Sequence, residues 1–182
     1  MGILNNIFGT TWFIALFGVA NMAPVFCCKI PFLAKPVDFG KTWRGKRVFG
    51  EHKTWRGILF APLFAVAFFV LQKYLYQQAS FIRDISLFDY EKMPLFYSFL
   101  AGLGAILGDL VKSFFKRRVN IAPGKSWVPF DQIDYLIGGM LFGFLFFVPS
   151  LLTISLTLLF GFVLHVLFNL LGYALKIKKI PL

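Results

Sequence analysis

The sequence has few charged residues, and acidic ones are especially scarce. Only 15% of its 182 residues are Asp, Glu, Lys or Arg, and only eight are acidic. A soluble domain of this length carries more charge, and long runs nearly free of charge recur along this chain. Because about 20 apolar residues in a row can cross a bilayer, the sequence predicts an integral membrane protein.

Several common motifs are also missing. The sequence contains no GxSxG, HExxH, Walker or CxxC pattern, so none of the enzyme classes with those signatures is indicated. Its two cysteines, Cys27 and Cys28, are adjacent, and we interpret them as free thiols. The first apolar run has no basic leader and no clear cleavage site, so we expect a retained span. With no linker or low-complexity tract, residues 1–182 are expected to form one transmembrane domain.

Five apolar segments predict an all-α polytopic membrane protein. Each segment is about 20 residues long, which at ~1.5 Å per residue is enough to cross a ~30 Å hydrocarbon core. Short polar or basic segments separate them. The predicted spans are residues 7–26, 57–76, 94–115, 131–148 and 152–175.

The basic residues predict the orientation. Sixteen of the 19 Lys and Arg lie in, or at the edge of, segments 29–56, 112–125 and 176–179. Five spans would put those segments on one side, so the positive-inside rule places the N-terminus outside and the C-terminus in the cytoplasm. The formal charge of +11 is then explained by cytoplasmic loops, and we do not expect nucleic acid as a partner.

The stretch from residue 108 to residue 134 contains most of the polar chemistry. If its first part is helical, five polar residues recur at i, i+3, i+4, i+7 and i+8 and share one face. Their alignment predicts a phosphate site, whereas Arg118 lies off that face and is interpreted as a membrane anchor. The five residues are Asp109, Lys112, Ser113, Lys116 and Arg117.

Acidic residues lie at both ends of this stretch. An ionised Asp109 inside a span costs about 2.5–3.5 kcal/mol, so it needs a partner, a cavity or a metal. Asp131 and Asp134 share a face at the start of the next apolar segment. Three carboxylates near several cations are typical of a site for divalent metal and phosphate. The alternatives are an ion pair between Asp109 and Lys112 and helix capping by the other two acids.

The pentapeptide KTWRG occurs twice, at residues 41–45 and 53–57. The second copy opens a predicted span, where backbone N–H groups and the positive end of a helix favour an anion. Lys53, Thr54 and Arg56 are therefore candidate phosphate ligands. Only one copy needs to be functional, and the sequence does not decide which.

Two stretches together resemble a known family. They are GDLVKSFFKRRVNIAPGKSWVPFDQID, at residues 108–134 and followed by an apolar span containing IGG, and PVDFGKTWRGKRVFGEHKTWRG, at residues 36–57. Both are similar to the signatures of the CDP-archaeol synthase family, a small branch of the CDP-diglyceride synthase superfamily. Gln132 stands where the larger bacterial members have Arg, which favours the small branch.

The resemblance implies a cytidylyltransferase that forms a CDP-lipid, of CDP-archaeol or CDP-diacylglycerol type, and pyrophosphate from CTP and a lipid phosphate. It implies Mg²⁺, with a monovalent cation as an additional candidate, and a cell (inner) membrane location with the active site facing the cytoplasm. It also allows a homodimer. The implied catalytic residues are Asp109, Lys112, Asp131 and Asp134, of which the three acids hold metal.

The same resemblance assigns two groups of substrate ligands. One group would hold the CTP triphosphate and the other the lipid phosphate, in an order that the sequence leaves open. Trp127 or Trp55 is a candidate to stack on cytosine. One group is Lys112, Ser113, Lys116 and Arg117. The other is Lys53, Thr54 and Arg56.

Three alternative functions share some of these features. A CDP-alcohol phosphotransferase also uses carboxylates and metal on lipids, but its motif opens with DG and ends with acids four apart. Here the order is Gly108-Asp109, and the last two acids are three apart. An organic-anion transporter would use intramembrane charges, yet no inverted repeat is visible. A structural membrane subunit leaves the clustered acids unexplained.

Overall fold

The protein is described here by a computed structural model that covers residues 3–122 and 124–176. Within these residues the chain forms helices joined by short segments, with one small hairpin. The elements are α1 (Ile3–Phe26), β1 (Thr42–Trp43), β2 (Lys46–Arg47), α2 (Trp55–Gln78), α3 (Ser80–Ile85), α4 (Leu95–Arg118), α5 (Phe130–Gly143) and α6 (Leu151–Ala174).

Four helices are long and apolar enough to cross a membrane. In the described part of the chain these are α1 from Leu4 onwards, α2, α4 and α6, with 23 or 24 residues each. Their ends lie within four residues of the predicted ones. The predicted all-α, multi-pass architecture is therefore confirmed.

The fourth predicted span is shorter than expected. α5 has 14 residues, about 21 Å at ~1.5 Å per residue, which is less than the ~30 Å of a hydrocarbon core. After Gly143 the backbone turns, and the Phe146 ring packs against Phe96 and Tyr97 with centroids 6.3 and 6.1 Å apart. The prediction that this helix continues to Val148 is wrong, because aromatic packing beside the start of α4 replaces its last turn.

The polar segment between the second and third predicted spans contains a short helix, α3. Arg83 in α3 donates hydrogen bonds to the carbonyl oxygens of Tyr76 and Gln77 at 3.2 and 2.8 Å. This cation therefore caps the end of α2, where unpaired carbonyl groups need donors.

α4 is the central helix and packs against α1, α2 and α5. The contact with α5 is close because glycines face each other: a Cβ atom on Gly104 would clash with the Gly138 carbonyl oxygen. A Cβ atom on Gly108 would likewise clash with the carbonyl oxygen of Asp134. Small residues at such contacts let helix backbones approach, which brings the polar residues of α4 and α5 together.

The two KTWRG copies adopt different structures. The first copy, at residues 41–45, forms β1 and the turn into β2. Arg44 and Gly45 have φ angles of 52° and 73°, as a two-residue hairpin turn with two left-handed positions requires. The second copy, at residues 53–57, leads into the first turn of α2.

Arg118 ties the hairpin to the end of α4. Its guanidinium donates hydrogen bonds to the carbonyl oxygens of Trp43, Lys46 and Arg47 at 2.8, 3.3 and 2.5 Å. The Lys46 ammonium in turn donates to the Arg118 carbonyl oxygen at 3.0 Å. The guanidinium also lies over the Phe114 ring, 4.7 Å from its centroid. The interpretation of Arg118 as a lipid anchor is therefore replaced by a structural role within the protein.

Candidate active site

Three aspartates surround the ammonium group of Lys112. Its Nζ atom lies 3.1 Å from Asp109 Oδ1, 2.7 Å from Asp131 Oδ1 and 3.0 Å from Asp134 Oδ2. Asp109 and Lys112 are one turn apart on α4, and Asp131 and Asp134 are one turn apart on α5. The glycine contact between α4 and α5 therefore assembles the predicted catalytic set at one point.

Two further lysines complete the charge balance. Lys53, just before α2, places its Nζ atom 2.5 Å from Asp109 Oδ2. Lys116 Nζ lies 2.8 Å from Asp131 Oδ2 and donates to the Lys125 carbonyl oxygen at 2.6 Å. Three lysines thus face three aspartates, and their formal charges cancel. In this lysine–aspartate cluster each charge lies near an opposite one, in a setting where isolated charges are costly. The cluster consists of Lys53, Lys112, Lys116, Asp109, Asp131 and Asp134.

The cluster is shielded from solvent. Asp109, Lys116 and Asp134 are 9%, 7% and 8% exposed. Oδ1 of Asp134 accepts a hydrogen bond from the Tyr135 N–H at 2.7 Å. Oδ2 of Asp134 is also buried, and the Lys112 ammonium lies 3.0 Å from it. A buried carboxylate oxygen needs such a cation, because an isolated buried charge is costly.

A polar cavity of about 580 Å³ opens beside Asp109. Its charged wall includes Lys53 and Arg56 of the second KTWRG copy, together with Thr54. The lining also includes Asn21 and Pro24, near the end of α1. The cavity lining comprises Asn21, Pro24, Val25, Cys28, Ala34, Glu51, His52, Lys53, Thr54, Arg56, Gly57, Ile58, Ile106, Asp109 and Leu110.

An apolar groove of about 490 Å³ runs between α4 and α5. Among the described residues, its charged lining residues are Lys112 and Asp134, and the rest are glycine, aliphatic or aromatic. Lys112 lines the groove and Asp109 lines the polar cavity, so each space has one partner of the Asp109–Lys112 ion pair in its lining. The groove lining comprises Gly104, Leu107, Gly108, Val111, Lys112, Phe115, Trp127, Phe130, Ile133, Asp134, Ile137, Gly138, Leu141 and Phe142.

Not every predicted ligand reaches these spaces. Ser113 is buried, and Arg117 is half-buried with an Nε atom that has no hydrogen-bond partner in the described part of the chain. Neither is among the lining residues of the cavity or the groove. Trp127 lines the apolar groove and packs on Phe130 at 4.5 Å, and Trp55 does not line the cavity. The geometry therefore does not favour either tryptophan for stacking on cytosine.

Asp38 is a residue that sequence reasoning overlooked. Its side chain has no exposed surface and accepts hydrogen bonds from Arg47 and from the backbone N–H groups of Gly40, Phe49 and Gly50. Burial alone would raise its pKa, but these donors outweigh burial and hold the pKa well below its ordinary value. The sequence signal was Asp followed two residues later by Gly, which favours an Asx turn.

The carboxylate oxygens of Asp109, Asp131 and Asp134 are the ligand type that Mg²⁺ prefers. All three acids contact one positive charge, the Lys112 ammonium, so their oxygens are of the right type and close enough together to suit a cation. In residues 3–122 and 124–176, however, no three His, Cys, Asp or Glu side chains stand ready to hold a metal. The Lys112 ammonium lies where the three acids meet.

Known proteins similar to this chain point to one family. The family model described as CarS-like, CDP-archaeol synthase, matches residues 3–182. A CDP-archaeol synthase of Pyrococcus furiosus is 35% identical over 173 residues, covering 93% of this chain and 95% of that protein. One of Methanococcus maripaludis is 34% identical over 184 residues, covering 99% of each. A solved structure of an intramembrane enzyme for archaeal membrane lipids biosynthesis has a TM-score of 0.69 at 25% identity, covering 87% of this chain and 90% of that one.

Proposed function

Because the chain belongs to the CDP-archaeol synthase family, we propose that it transfers CMP from CTP to a membrane lipid phosphate. The products are a CDP-lipid and pyrophosphate. One observation carries the proposal: Asp109, which lines the polar cavity, is ion-paired with Lys112, which lines the apolar groove. An enzyme that joins a nucleotide to a lipid needs these two environments to share one reaction centre.

CTP fits the polar cavity. Lys53 and Arg56 line the cavity and supply cations for a triphosphate. Thr54, beside them, supplies a hydroxyl group. Cations and polar groups that face one cavity are suited to a polyanion, because each charge-assisted hydrogen bond to phosphate is stronger than a neutral one. Asp109 stands at the end of the cavity that adjoins the lysine–aspartate cluster.

The lipid phosphate fits the groove. A hydrocarbon chain lies favourably against its apolar walls, and the charged end at Lys112 and Asp134 meets the phosphate. Lys112 is the cation that lines the groove, and Lys116 adds a second charge one turn further along α4. The relatives' names indicate an archaeal ether lipid as the acceptor, and we adopt that acceptor for this chain.

The reaction requires positioning rather than a general base. A phosphate monoester has a second pKa of about 6, so its oxygen is already largely ionised near neutral pH. This oxygen attacks the α-phosphorus of CTP; the bond to the bridging α,β-oxygen breaks, and its electron pair leaves with pyrophosphate. Lys53 and Lys112 offset the charge on the two anions as they approach.

Asp109, Asp131 and Asp134 would hold a divalent cation such as Mg²⁺, which neutralises negative charge on phosphate oxygens. Lys112 would then serve two roles. Without substrate it offsets the charge of the three acids, and with substrate and a bound cation it would be available to contact phosphate. The proposed location is the cell membrane, with the cavity open to the cytoplasm, where CTP is found.

The proposal can be tested with purified protein in nanodiscs, labelled CTP, Mg²⁺ and a panel of lipid phosphates. The panel varies ether or ester linkage, glycerol stereochemistry and chain saturation. We expect labelled CDP-lipid and equimolar pyrophosphate, with the highest kcat/KM for an ether lipid of archaeal stereochemistry. Turnover of CTP with none of the lipid phosphates would overturn the proposed reaction, and a preference for ester lipids would overturn the proposed acceptor.

A further inference from the structure

The loop that carries Lys53 is organised around Asp38. Of the hydrogen bonds that the Asp38 carboxylate accepts, two come from Arg47, at 2.7 and 3.3 Å. Three come from backbone N–H groups of Gly40, Phe49 and Gly50, at 3.0 to 3.1 Å. One buried side chain thus holds both ends of the hairpin and the segment that follows it.

A short chain of hydrogen bonds leads from Asp38 to Lys53. Gly50, whose N–H group is held by Asp38, accepts a hydrogen bond from the Lys53 N–H through its carbonyl oxygen at 3.3 Å. The Lys53 carbonyl oxygen accepts from the Val37 N–H at 2.7 Å. The Lys53 backbone is therefore fixed from both sides by residues that Asp38 holds or adjoins.

The Lys53 side chain depends on this backbone position because it reaches another element. It is 27% exposed and ends 2.5 Å from Asp109 in α4. The other lysines of the cluster, Lys112 and Lys116, are on α4 itself and contact α5. Lys53, on the cavity side of the site, is therefore the lysine of this cluster that the Asp38 loop carries.

We infer that Asp38 is a positioning residue, which sets Lys53 beside Asp109 and so shapes the nucleotide side of the site. The inference rests on the proposed function, because it requires CTP to occupy the polar cavity. Loss of Asp38 should impair the use of CTP more than the use of lipid phosphate. A residue that merely stabilised the fold would affect both substrates alike.

Asp38→Asn is the main test variant. Asparagine keeps the size of the side chain but replaces one acceptor oxygen with an NH₂ donor facing other donors. We expect the KM for CTP to rise at least 10-fold and the KM for lipid phosphate to change less than 3-fold. The matched control is Asp89→Asn, because Asp89 also accepts a backbone N–H bond, from Glu91 at 2.9 Å, but in the segment between α3 and α4. Asp89→Asn should have the wild-type KM for both substrates.

A second measurement needs no turnover. Reductive methylation followed by mass spectrometry measures the reactivity of each lysine, and Lys41, exposed in the same loop, is an internal standard. Lys53 should become several-fold more reactive relative to Lys41 in Asp38→Asn. Arg47→Gln removes only the two guanidinium hydrogen bonds, so it should raise the reactivity of Lys53 by a smaller factor. This variant replaces Asp38→Asn in the test if Asp38→Asn does not fold.

The outcomes separate the two proposals. If the wild type turns over no CTP while Lys53 becomes more reactive in Asp38→Asn, the proposed function fails and the positioning role stands. If turnover is normal but Lys53 reactivity and the KM for CTP are unchanged in both variants, the positioning role is wrong. An equal rise of both KM values, with a lowered Tm, would also reject it.

Discussion

Lys53 and Asp109 are 56 positions apart in the sequence, yet their charged atoms lie 2.5 Å apart. Lys53 ends a loop and Asp109 is in the central helix α4. Both residues line the polar cavity, and their ion pair links the loop to the lysine–aspartate cluster around Lys112. Any rearrangement of the loop therefore changes the charge balance in that cluster.

The two KTWRG copies provide an internal comparison. Lys53→Ala should lower kcat/KM for CTP about 10- to 150-fold, corresponding to roughly 1.5–3 kcal/mol for a lost hydrogen bond to a charged group. Lys41→Ala removes the matching lysine of the first copy, which is exposed in the hairpin, and should have no measurable effect. Steady-state kinetics with varied CTP distinguishes them. Equal effects of the two variants would refute the assignment of the second copy to the site.

The three aspartates should act as one unit. We predict, as a hypothesis, that Asp109→Asn, Asp131→Asn and Asp134→Asn each remove most CDP-lipid formation, and that a double variant loses little more than the worse single one. Each single variant leaves Lys112 two acidic partners, so the protein should remain folded. Chelation of divalent ions should abolish wild-type activity, and added Mg²⁺ should restore it. Near-normal rates in the variants, or full activity with chelator, would show that these acids serve only structure.

The apolar groove should decide how well lipid binds. Leu141→Trp places a large ring among the groove-lining residues and should raise the KM for lipid phosphate several-fold without changing the KM for CTP. Leu145→Trp is the control, since Leu145 is exposed just beyond α5 and does not line the groove. Both variants are assayed with the same lipid in nanodiscs. A raised KM for lipid phosphate in Leu145→Trp alone, or equally in both variants, would place the lipid elsewhere.

The orientation predicted from the loop charges can be tested by labelling. Single cysteines at Ser86, between α3 and α4, and Ile121, after α4, are introduced after Cys27 and Cys28 are replaced by serine. An impermeant maleimide applied to intact cells should label position 86, whereas position 121 should react only after permeabilisation. Labelling of both from one side would contradict the predicted topology and the cytoplasmic active site.

The Asp38 loop should resist mild acid and loosen at lower pH. Because the folded pKa of Asp38 lies well below its ordinary value, its contribution to stability is complete above the ordinary pKa of about 3.9. That contribution declines as the pH falls towards the lowered folded pKa. Hydrogen exchange at Phe49 and Gly50, normalised to intrinsic rates, should be steady from pH 8 to about pH 5 and accelerate below about pH 4. Asp38→Asn should lack this acid-dependent acceleration. An equally steep acceleration in that variant would show that another group causes it.

Local spacing in the sequence determined much of this protein. Low charge and long apolar runs predicted a multi-pass helical membrane protein, and helical periodicity predicted that Asp109, Lys112 and Lys116 share a face. The same periodicity paired Asp131 with Asp134. These features follow from the sequence because residues three or four apart on a helix are neighbours whatever the rest of the chain does.

Only the tertiary structure decided how these local pieces meet. Identical KTWRG segments became a hairpin turn and a helix start, because their contacts with the rest of the chain differ. α5 stops at Gly143 because aromatic rings from α4 pack against the residues beyond it. The convergence of three acids on Lys112, and of Lys53 on Asp109, depends on a close glycine contact and on a loop held by Asp38. Such contacts join residues far apart in the chain, and no local pattern specifies them.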